Sequence, residues 1–515
     1  MPTLHHLLAA TLCAVPATAQ LVGIYTINPT QPPSGTNFVS FAAATAELTT
    51  QGVSGPVTFD VYDDAGPFTE ANSFLPTGLW APDTAVLVMQ SWSGTSPSSR
   101  VTFRAAAGEA PVIDASGRAI GVYWGGADYV TIEGFEIRNA VFDAISLYSD
   151  TVAGVPFDAV IRKCRIHHCG GAGVSIYGNS SFPVNTLVEN NWFWNLQETA
   201  TGSFYGTGRF GYVTTRRTTN TRVVHNTFLV NTGVGSMLCA LGAYPSSVSE
   251  VPYAEVSNNI FMKTQAAGMP ILRILSPTGS TVPAPTICDS NCFFDYSASP
   301  LALHGTNGTT ISTTLLDWQT NVQRDLGSIV GLPMFSSTVT IDLHLTSTSP
   351  CIGASTMSSG TTDDIDGQPR TTSLDIGADE YSNASIRSVG QGCLGSGQQA
   401  PVLSQIGWPY LGSPDFALLA SQLPPNAPVF VFASFGTAPP YTVGAGCQVQ
   451  LALPSLVALP VVLTASSAGT SSVVIAWPAN PAYVGVNYGF QAMVIDAGAP
   501  LGITITNALD IVLGF

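Results

Sequence analysis

One eight-residue unit recurs along the middle of the chain and limits the fold more tightly than any other feature. It reads IEGFEIRN (132–139), IRKCRIHH (161–168), VENNWFWN (188–195), VHNTFLVN (224–231), VSNNIFMK (256–263) and CDSNCFFD (288–295). Starts are 29, 27, 36, 32 and 32 residues apart. The first position is Ile132, Ile161, Val188, Val224, Val256 and Cys288, and the sixth is Ile137, Ile166, Phe193, Leu229, Phe261 and Phe293, apolar throughout. The third is Gly134, Lys163, Asn190, Asn226, Asn258 and Ser290. Gly and Asn take the left-handed backbone most readily, so a tight corner belongs there. Each unit is therefore predicted to be a strand, a sharp bend and a second strand. First- and sixth-position side chains, Val224 and Leu229 among them, face the core. The third-position asparagines stack in a hydrogen-bonded ladder from coil to coil. A third strand follows in several units: AIGVY (119–123), AISLY (144–148) and GVSIY (173–177). Three short strands per rung of about 30 residues predict an all-β parallel solenoid with one continuous core.

Charge narrows the function. Only 9% of the 515 residues are charged and the net charge is −16. Nucleic acid is excluded as a partner, because its binding needs basic residues that displace phosphate counterions. Residues 1–19 read as a secretory signal peptide, with an apolar centre and a small-x-small ATA ending at Ala19. No later apolar run is long enough to span a bilayer: LALPSLVALPVVL is broken by Pro454 and Pro460. The expectation is a secreted protein, whose cysteines at 164, 169, 239, 288, 292, 351, 393 and 447 are then disulfide candidates. None of them has zinc-site spacing.

The repeat resembles the right-handed parallel β-helix of the pectate-lyase-like superfamily, over roughly residues 22–381. The resemblance includes the entry segment FVSFAAATAELTTQGVSGPVTFDVYD, where the Phe41/Ala44/Leu48 spacing suits a capping helix. It also includes the closing segment LHLTSTSPCIGAS…DDIDGQPR…LDIGADEY (343–381). After Tyr381 the composition changes. From Ala384 to the end the only charges are Arg387, Asp415, Asp496 and Asp510, and short apolar runs alternate with Pro/Gly turns. That pattern predicts a β-sandwich. Its only cysteines, Cys393 and Cys447, are expected to pair. The segment resembles a C-terminal module appended to many secreted planctomycete proteins. The expected organisation is a signal peptide over 1–19, β-helix over 20–383, linker over 384–392 and β-sandwich module over 393–515.

The superfamily resemblance implies extracellular polysaccharide as the partner, a cell-envelope glycan included, with lyase or glycoside hydrolase chemistry. The hydrolases' Gly-His-Gly and Arg-Ile-Lys motifs are absent here, and the Asp-Asp pairs at 63–64 and 363–364 flank the helix. Basic residues cluster nevertheless: Arg162, Lys163, Arg165, Arg209, Arg216, Arg217 and Arg222, with His167, His168 and His225 among them. An insertion at 196–207 adds Glu198 and Tyr205. Glu198, Arg209 and His168 are the acid–base candidates, a carboxylate beside a guanidinium and an imidazole. Tyr148 and Tyr177, in a column with Tyr123 outside the third strands, are the substrate-binding candidates, because sugars stack on aromatic faces.

Each of these features also has a structural reading. Glu133, Arg162, Glu189 and His225 would form an alternating ion-pair ladder on a parallel sheet. Trp192 and Trp194 would be sugar platforms or would pack under a loop. In DDIDGQPR, Asp364 and Asp366 are calcium candidates, or the segment caps the last rung with Arg370 paired to a carboxylate. The two functions under test are a protein binding or processing polysaccharide and a non-catalytic surface or matrix scaffold.

Overall fold

Three parallel sheets wind around one apolar core, and each rung contributes a strand to each sheet. The structure is a computed structural model that describes residues 20–74, 84–149, 158–178, 185–197, 211–216, 218–231, 236–241, 253–264, 271–275, 285–296, 303–304, 311–312, 314–370, 373–413, 416–478 and 480–514. The expected signal peptide lies outside them. The first sheet has ten strands and the second and third have eight each, with rung neighbours paired in parallel apart from one antiparallel end strand in the third. In one rung the chain runs through Val130–Glu133, Glu136–Arg138 and Ile145–Ser149. Solenoid and strand–bend–strand unit are as the sequence predicts.

Register departs in the fourth unit. Val188 pairs with Val223, and Phe193 with Phe228, so the unit begins at Val223 and not at Val224. Phe193, Phe228, Phe261 and Phe293 then stack through the core at 4.8, 5.1 and 5.5 Å, with planes 7–12° apart. Leu229 faces the other way and is buried against Trp194 and Ile260 outside the second sheet. Two adjacent valines and a Phe-Leu pair made both alignments apolar; only ring stacking separates them.

With the register corrected, the third position is Gly134, Lys163, Asn190, His225, Asn258 and Ser290, and every one has φ between 52° and 82°. The bend is as expected, but the ladder belongs to the next position. Asn226 Oδ1 accepts the backbone N–H of Asn191 at 3.0 Å and its side-chain amide at 2.9 Å. Asn226 Nδ2 donates to Val188 O, Val224 O and Asn259 Oδ1. Asn259 and Asn291 repeat the arrangement. A buried corner exposes backbone donors and acceptors that need partners, and a primary amide supplies both.

The helix Phe41–Gln51 closes one end, with Phe41, Ala44 and Leu48 buried as the spacing predicts. Ser40 caps it, and the Glu70 carboxylate accepts the N–H groups of Phe41 and Ala42. At the other end the cap is the helix Leu315–Val322 with Asp325, not DDIDGQPR. Buried Asp325 terminates the ladder, accepting from Asn291 Nδ2 (2.8 Å), Ser328 Oγ (2.6 Å) and Trp318 Nε1 (2.8 Å).

Residues 332–381 instead form a strap that runs back along the outside of the solenoid. It meets Ser290 through Thr356, Asn258 through Ser355 and Met357, Arg222 through Ser359, and Glu189 through Thr361. The outward face of the second sheet is covered by it: Trp192, Trp194, Leu229, Ile260 and Met262 pack against Leu343, Leu345, Ile365, Ile376 and Ala378. Beyond it the chain forms antiparallel sheets of five, three and two strands. Ser385–Val389, expected as linker, is an edge strand paired along Ala508–Val512, and Arg387 meets Asp510 at 2.6 Å. Its alternation was masked by polar residues suited to an edge. Cys393 and Cys447 are bonded.

Candidate functional site

Parallel in-register pairing puts equivalent side chains of successive rungs side by side. On the third sheet Leu147 and Ile176 face the core, so Tyr148 and Tyr177 face outward as register partners. Their rings stack at 5.4 Å and 21°. The next rung aligns Val213 with Val174, and therefore Arg216 with Tyr177. The Arg216 guanidinium carbon lies 4.9 Å from the Tyr177 ring centroid. The row Tyr148–Tyr177–Arg216 is thus two phenols ending in a cation. Tyr177 has a ring on one face and a guanidinium on the other, so this row offers a sugar ring edges and charge instead of an open face. Tyr123 is displaced from the expected column: it pairs with Ser146, not with Tyr148, and is buried in a 4.1 Å stack on Phe74.

In the sequence the stretch GRFGY (208–212) also begins like GVSIY (173–177). The strand is Gly211–Arg216, and Arg216 falls at the offset of Tyr177. That equivalence was readable had GVSIY been aligned with YVTTR. Glu198, Arg209, Arg217 and Tyr205 lie outside the described residues.

His168 is the penultimate residue of the second-sheet strand Arg165–Cys169, with φ 51° and an exposed side chain. Its Nδ1 lies 2.5 Å from His167 Nδ1, and its Nε2 is 3.0 Å from Asn195 Nδ2. His167 stacks on Trp194 at 4.1 Å and sets its Nε2 3.3 Å from Glu136. Burial lowers the His167 pKa despite that carboxylate, and the His167 hydrogen bond lowers that of Glu136. His168 therefore sits with the second-sheet edge.

Among the described residues, Arg162, Lys163, Arg165 and Arg222 of the basic cluster are committed to structure. Arg162 and Lys163 both reach Asp363 of the strap at 2.5 Å, and Arg162 also faces Glu133 and Glu189 at 3.8 and 3.5 Å. Arg165 lies over the Trp192 ring and 3.9 Å from Asp366. Arg222 binds Glu255 Oε2 and Ser359 O, each at 2.7 Å. The ion-pair ladder thus holds for Glu133, Arg162 and Glu189, whereas the fourth place is Val224 and His225 is a buried corner residue. Burial pushes the His225 pKa well down. Trp192 and Trp194 are packed under the strap and are not sugar platforms.

Within the strap, Asp364 Oδ1 accepts the N–H groups of Asp366 (3.0 Å) and Gln368 (2.7 Å), and Oδ2 that of Glu380 (3.0 Å). Its oxygens serve the turn. Arg370 pairs with Glu380 at 3.0 Å, as expected of a carboxylate partner, and also donates to Asn190 Oδ1 and Gly377 O. Asp366, the other calcium candidate, belongs to a constellation read only in part from the sequence: His344, Asp366 and Asp379 offer ligand atoms within 4.8 Å of one another. Here His344 Nε2 is 2.7 Å from Asp366 Oδ2, and Asp379 Oδ2 accepts the Leu345 N–H. A cation there would have to displace those contacts, so the group is built as a polar lock. The missing member was His344, whose only sequence signal was a titratable residue between Leu343 and Leu345.

A family model described as right-handed β-helix region matches residues 118–273, the stretch that carries this row. Among solved structures the chain is similar to a pectate lyase, at 13% identity and TM-score 0.32 over 71% of this chain and 98% of that one. A Pseudomonas phage tailspike matches at 10% identity and TM-score 0.30, over 88% of this chain and 62% of that one. A tailspike of an Acinetobacter baumannii bacteriophage, a capsular polysaccharide depolymerase, matches at 12% identity and TM-score 0.19, over 88% and 77%. No curated protein matches. Among the described residues no helix is long and apolar enough to cross a membrane.

Proposed function

We propose that this chain is an extracellular polysaccharide-binding protein that holds an acidic glycan along the outward face of the third sheet. The observation that carries the reading is the Tyr148–Tyr177–Arg216 row. Phenol edges supply hydroxyls and apolar contact for a sugar, and a guanidinium pairs with a carboxylate in a planar fork. The other described arginines and the lysine of the cluster have carboxylate partners, Arg165 included although it also lies over Trp192, whereas the contact of Arg216 is with the Tyr177 ring. Processing of the bound chain would fall to Glu198 and Arg209, the candidates left once His168 is placed on the second sheet. Binding arrays of neutral and uronate-containing polysaccharides test the reading, with release of reducing or unsaturated ends followed in parallel. Acidic glycans are expected to bind and neutral ones not to. Glu198→Gln is expected to retain binding and abolish any cleavage.

The scaffold reading is favoured by one observation: Asp363 absorbs two cations of the cluster from which a catalytic site would be drawn. Failure to bind any glycan would select it.

A further inference from the structure

Among the described residues, five buried cysteines stand outside the Cys393–Cys447 bond: Cys164, Cys169, Cys288, Cys292 and Cys351. Three have their thiols directed at oxygen. Cys164 and Cys169 point at the carbonyls of Arg162 (3.2 Å) and His167 (3.3 Å), and Cys288 donates to Asp325 Oδ2 at 3.0 Å. The other two meet each other. Phe293 faces the core, so Cys292 beside it faces outward under the strap, in the same cluster as Cys351. Neither is accessible to solvent. Gly331, paired into the rung at Phe293, brings the strap down at this place: its carbonyl lies 3.4 Å from Cys292 Sγ. A Cβ on Gly331 would lie 3.2 Å from Pro350 Cγ, the residue before Cys351. Cys351 is held from its far side too, where its carbonyl accepts the Ile376 N–H at 3.0 Å. Both cysteines thus belong to one buried cluster under the strap, with Gly331 touching the Cys292 thiol and lying beside the residue that precedes Cys351.

We infer that Cys292 and Cys351 are a redox pair, joined in the oxidised protein by a disulfide that bolts the strap to the last rung of the solenoid. The two-electron acceptor is a small-molecule disulfide such as oxidised glutathione. The thiolate of one cysteine attacks a sulfur of that disulfide, forming a mixed disulfide and expelling one small thiolate. The second cysteine's thiolate then attacks the protein sulfur of the mixed disulfide and expels the other. Two protons leave the protein thiols and two small thiols form. The order of events follows from burial. The Cys351 thiol and desolvation hold the Cys292 thiol well above its ordinary range, so reactive thiolate is scarce once the strap is down. Exchange therefore takes place as the strap docks, and the closed strap afterwards shields the bond from reductants.

The test uses the full chain, unfolded under reducing conditions and refolded with reduced and oxidised glutathione. Free thiols are alkylated and the protein is digested without reductant. A peptide pair linking Cys292 to Cys351, beside the Cys393–Cys447 pair, is expected. Cys292→Ala should release Cys351 to alkylation and leave Cys393–Cys447 intact. Protein exported through an oxidising compartment and mapped directly serves where refolding fails. In either preparation, reductant added after refolding should not reopen the Cys292–Cys351 link until the strap is undocked by denaturant. Recovery of Cys292 and Cys351 both alkylated, in folded protein whose Cys393–Cys447 bond has formed, would overturn the proposal. So would linkage of either residue to a different cysteine.

Discussion

Asp363 lies against Arg162 across 201 residues of sequence, with Oδ1 2.5 Å from the guanidinium, and its other oxygen meets Lys163. One carboxylate thus pins the tip of the strap to two adjacent residues at a corner of the solenoid. The groups are mostly buried, with side-chain exposures of 23% for Arg162 and 28% for Asp363. Removing one partner of such a pair costs more than a surface bridge is worth, because the cations lose a compensating charge. Asp363→Asn is predicted to destabilise strap docking by about 1–3 kcal/mol. Limited proteolysis within residues 355–370 should accelerate while the solenoid's own melting changes little. An unchanged cleavage rate would contradict the pinning role.

The strap should also respond to pH. Burial works against charge on His344, but hydrogen bonding to Asp366 and the charges of Asp366, Asp379 and Asp342 outweigh it and raise its pKa to about 10. Burial raises Asp379 to about 6, and burial with Glu380 raises Asp375 to about 7. All three bind protons more tightly in the folded state. Their contribution is therefore full below the unfolded values and is lost as pH climbs through the folded ones. The contribution of the two aspartates is predicted to be full below their ordinary value of 3.8 and to be lost by about 6–7. That of His344 falls from its ordinary 6.5 until about 10, so docking weakens steadily as pH rises. Hydrogen-exchange protection factors over residues 343–381 at graded pH check this. Protection that rises with pH would contradict it.

The core register makes a sharper prediction. Phe228 stands between Phe193 and Phe261 with no solvent exposure. Phe228→Ala should cost about 3–5 kcal/mol through lost burial and a cavity. Denaturant unfolding that matches the parent would place Phe228 outside the core and restore the alternative alignment.

The asparagine ladder is tested by Asn226→Ala. That change strips a partner from the buried Asn191 N–H and from the carbonyls of Val188 and Val224. An unsatisfied buried group costs about 1–3 kcal/mol, so a loss of at least that size is expected in equilibrium unfolding. Asn190→Ala, at a bend residue outside the ladder, is a comparison that should act through its left-handed φ of 54° and through loss of its strap contacts to Arg370 and the Asp363 carbonyl.

Much of the solenoid was legible because apolar alternation reports directly which side chains are inside. Ile132, Ile161 and Val188 could be placed on that ground alone. Val223 and Val224 could not be told apart, since each satisfies the same apolar rule and the neighbouring rungs decide. The bend was visible in its Gly and Asn, but Lys163, His225 and Ser290 take the same left-handed conformation with no residue-type signal. The strap was illegible for a different reason. Its contacts join residues far apart in sequence, Arg162 with Asp363 and Asn258 with Ser355, and no local pattern encodes them. Of the candidate site, the tyrosine pair was readable from strand alternation. Arg216 was not, because GRFGY, which begins like GVSIY, lies four residues before the matching YVTTR.

The most direct measurement of the central claim is an equilibrium binding series of a uronate-containing polysaccharide against the full chain, Arg216→Ala and Arg222→Ala. Arg216 ends the tyrosine row, whereas Arg222 is paired to Glu255 and the strap. A charge-assisted contact is worth about 1.5–3 kcal/mol, roughly tenfold or more in affinity. Arg216→Ala should therefore weaken binding by at least about tenfold and flatten its salt dependence, and Arg222→Ala should leave the affinity near that of the parent. Binding unaffected by Arg216→Ala, or no binding of acidic glycan by the parent, would contradict the account.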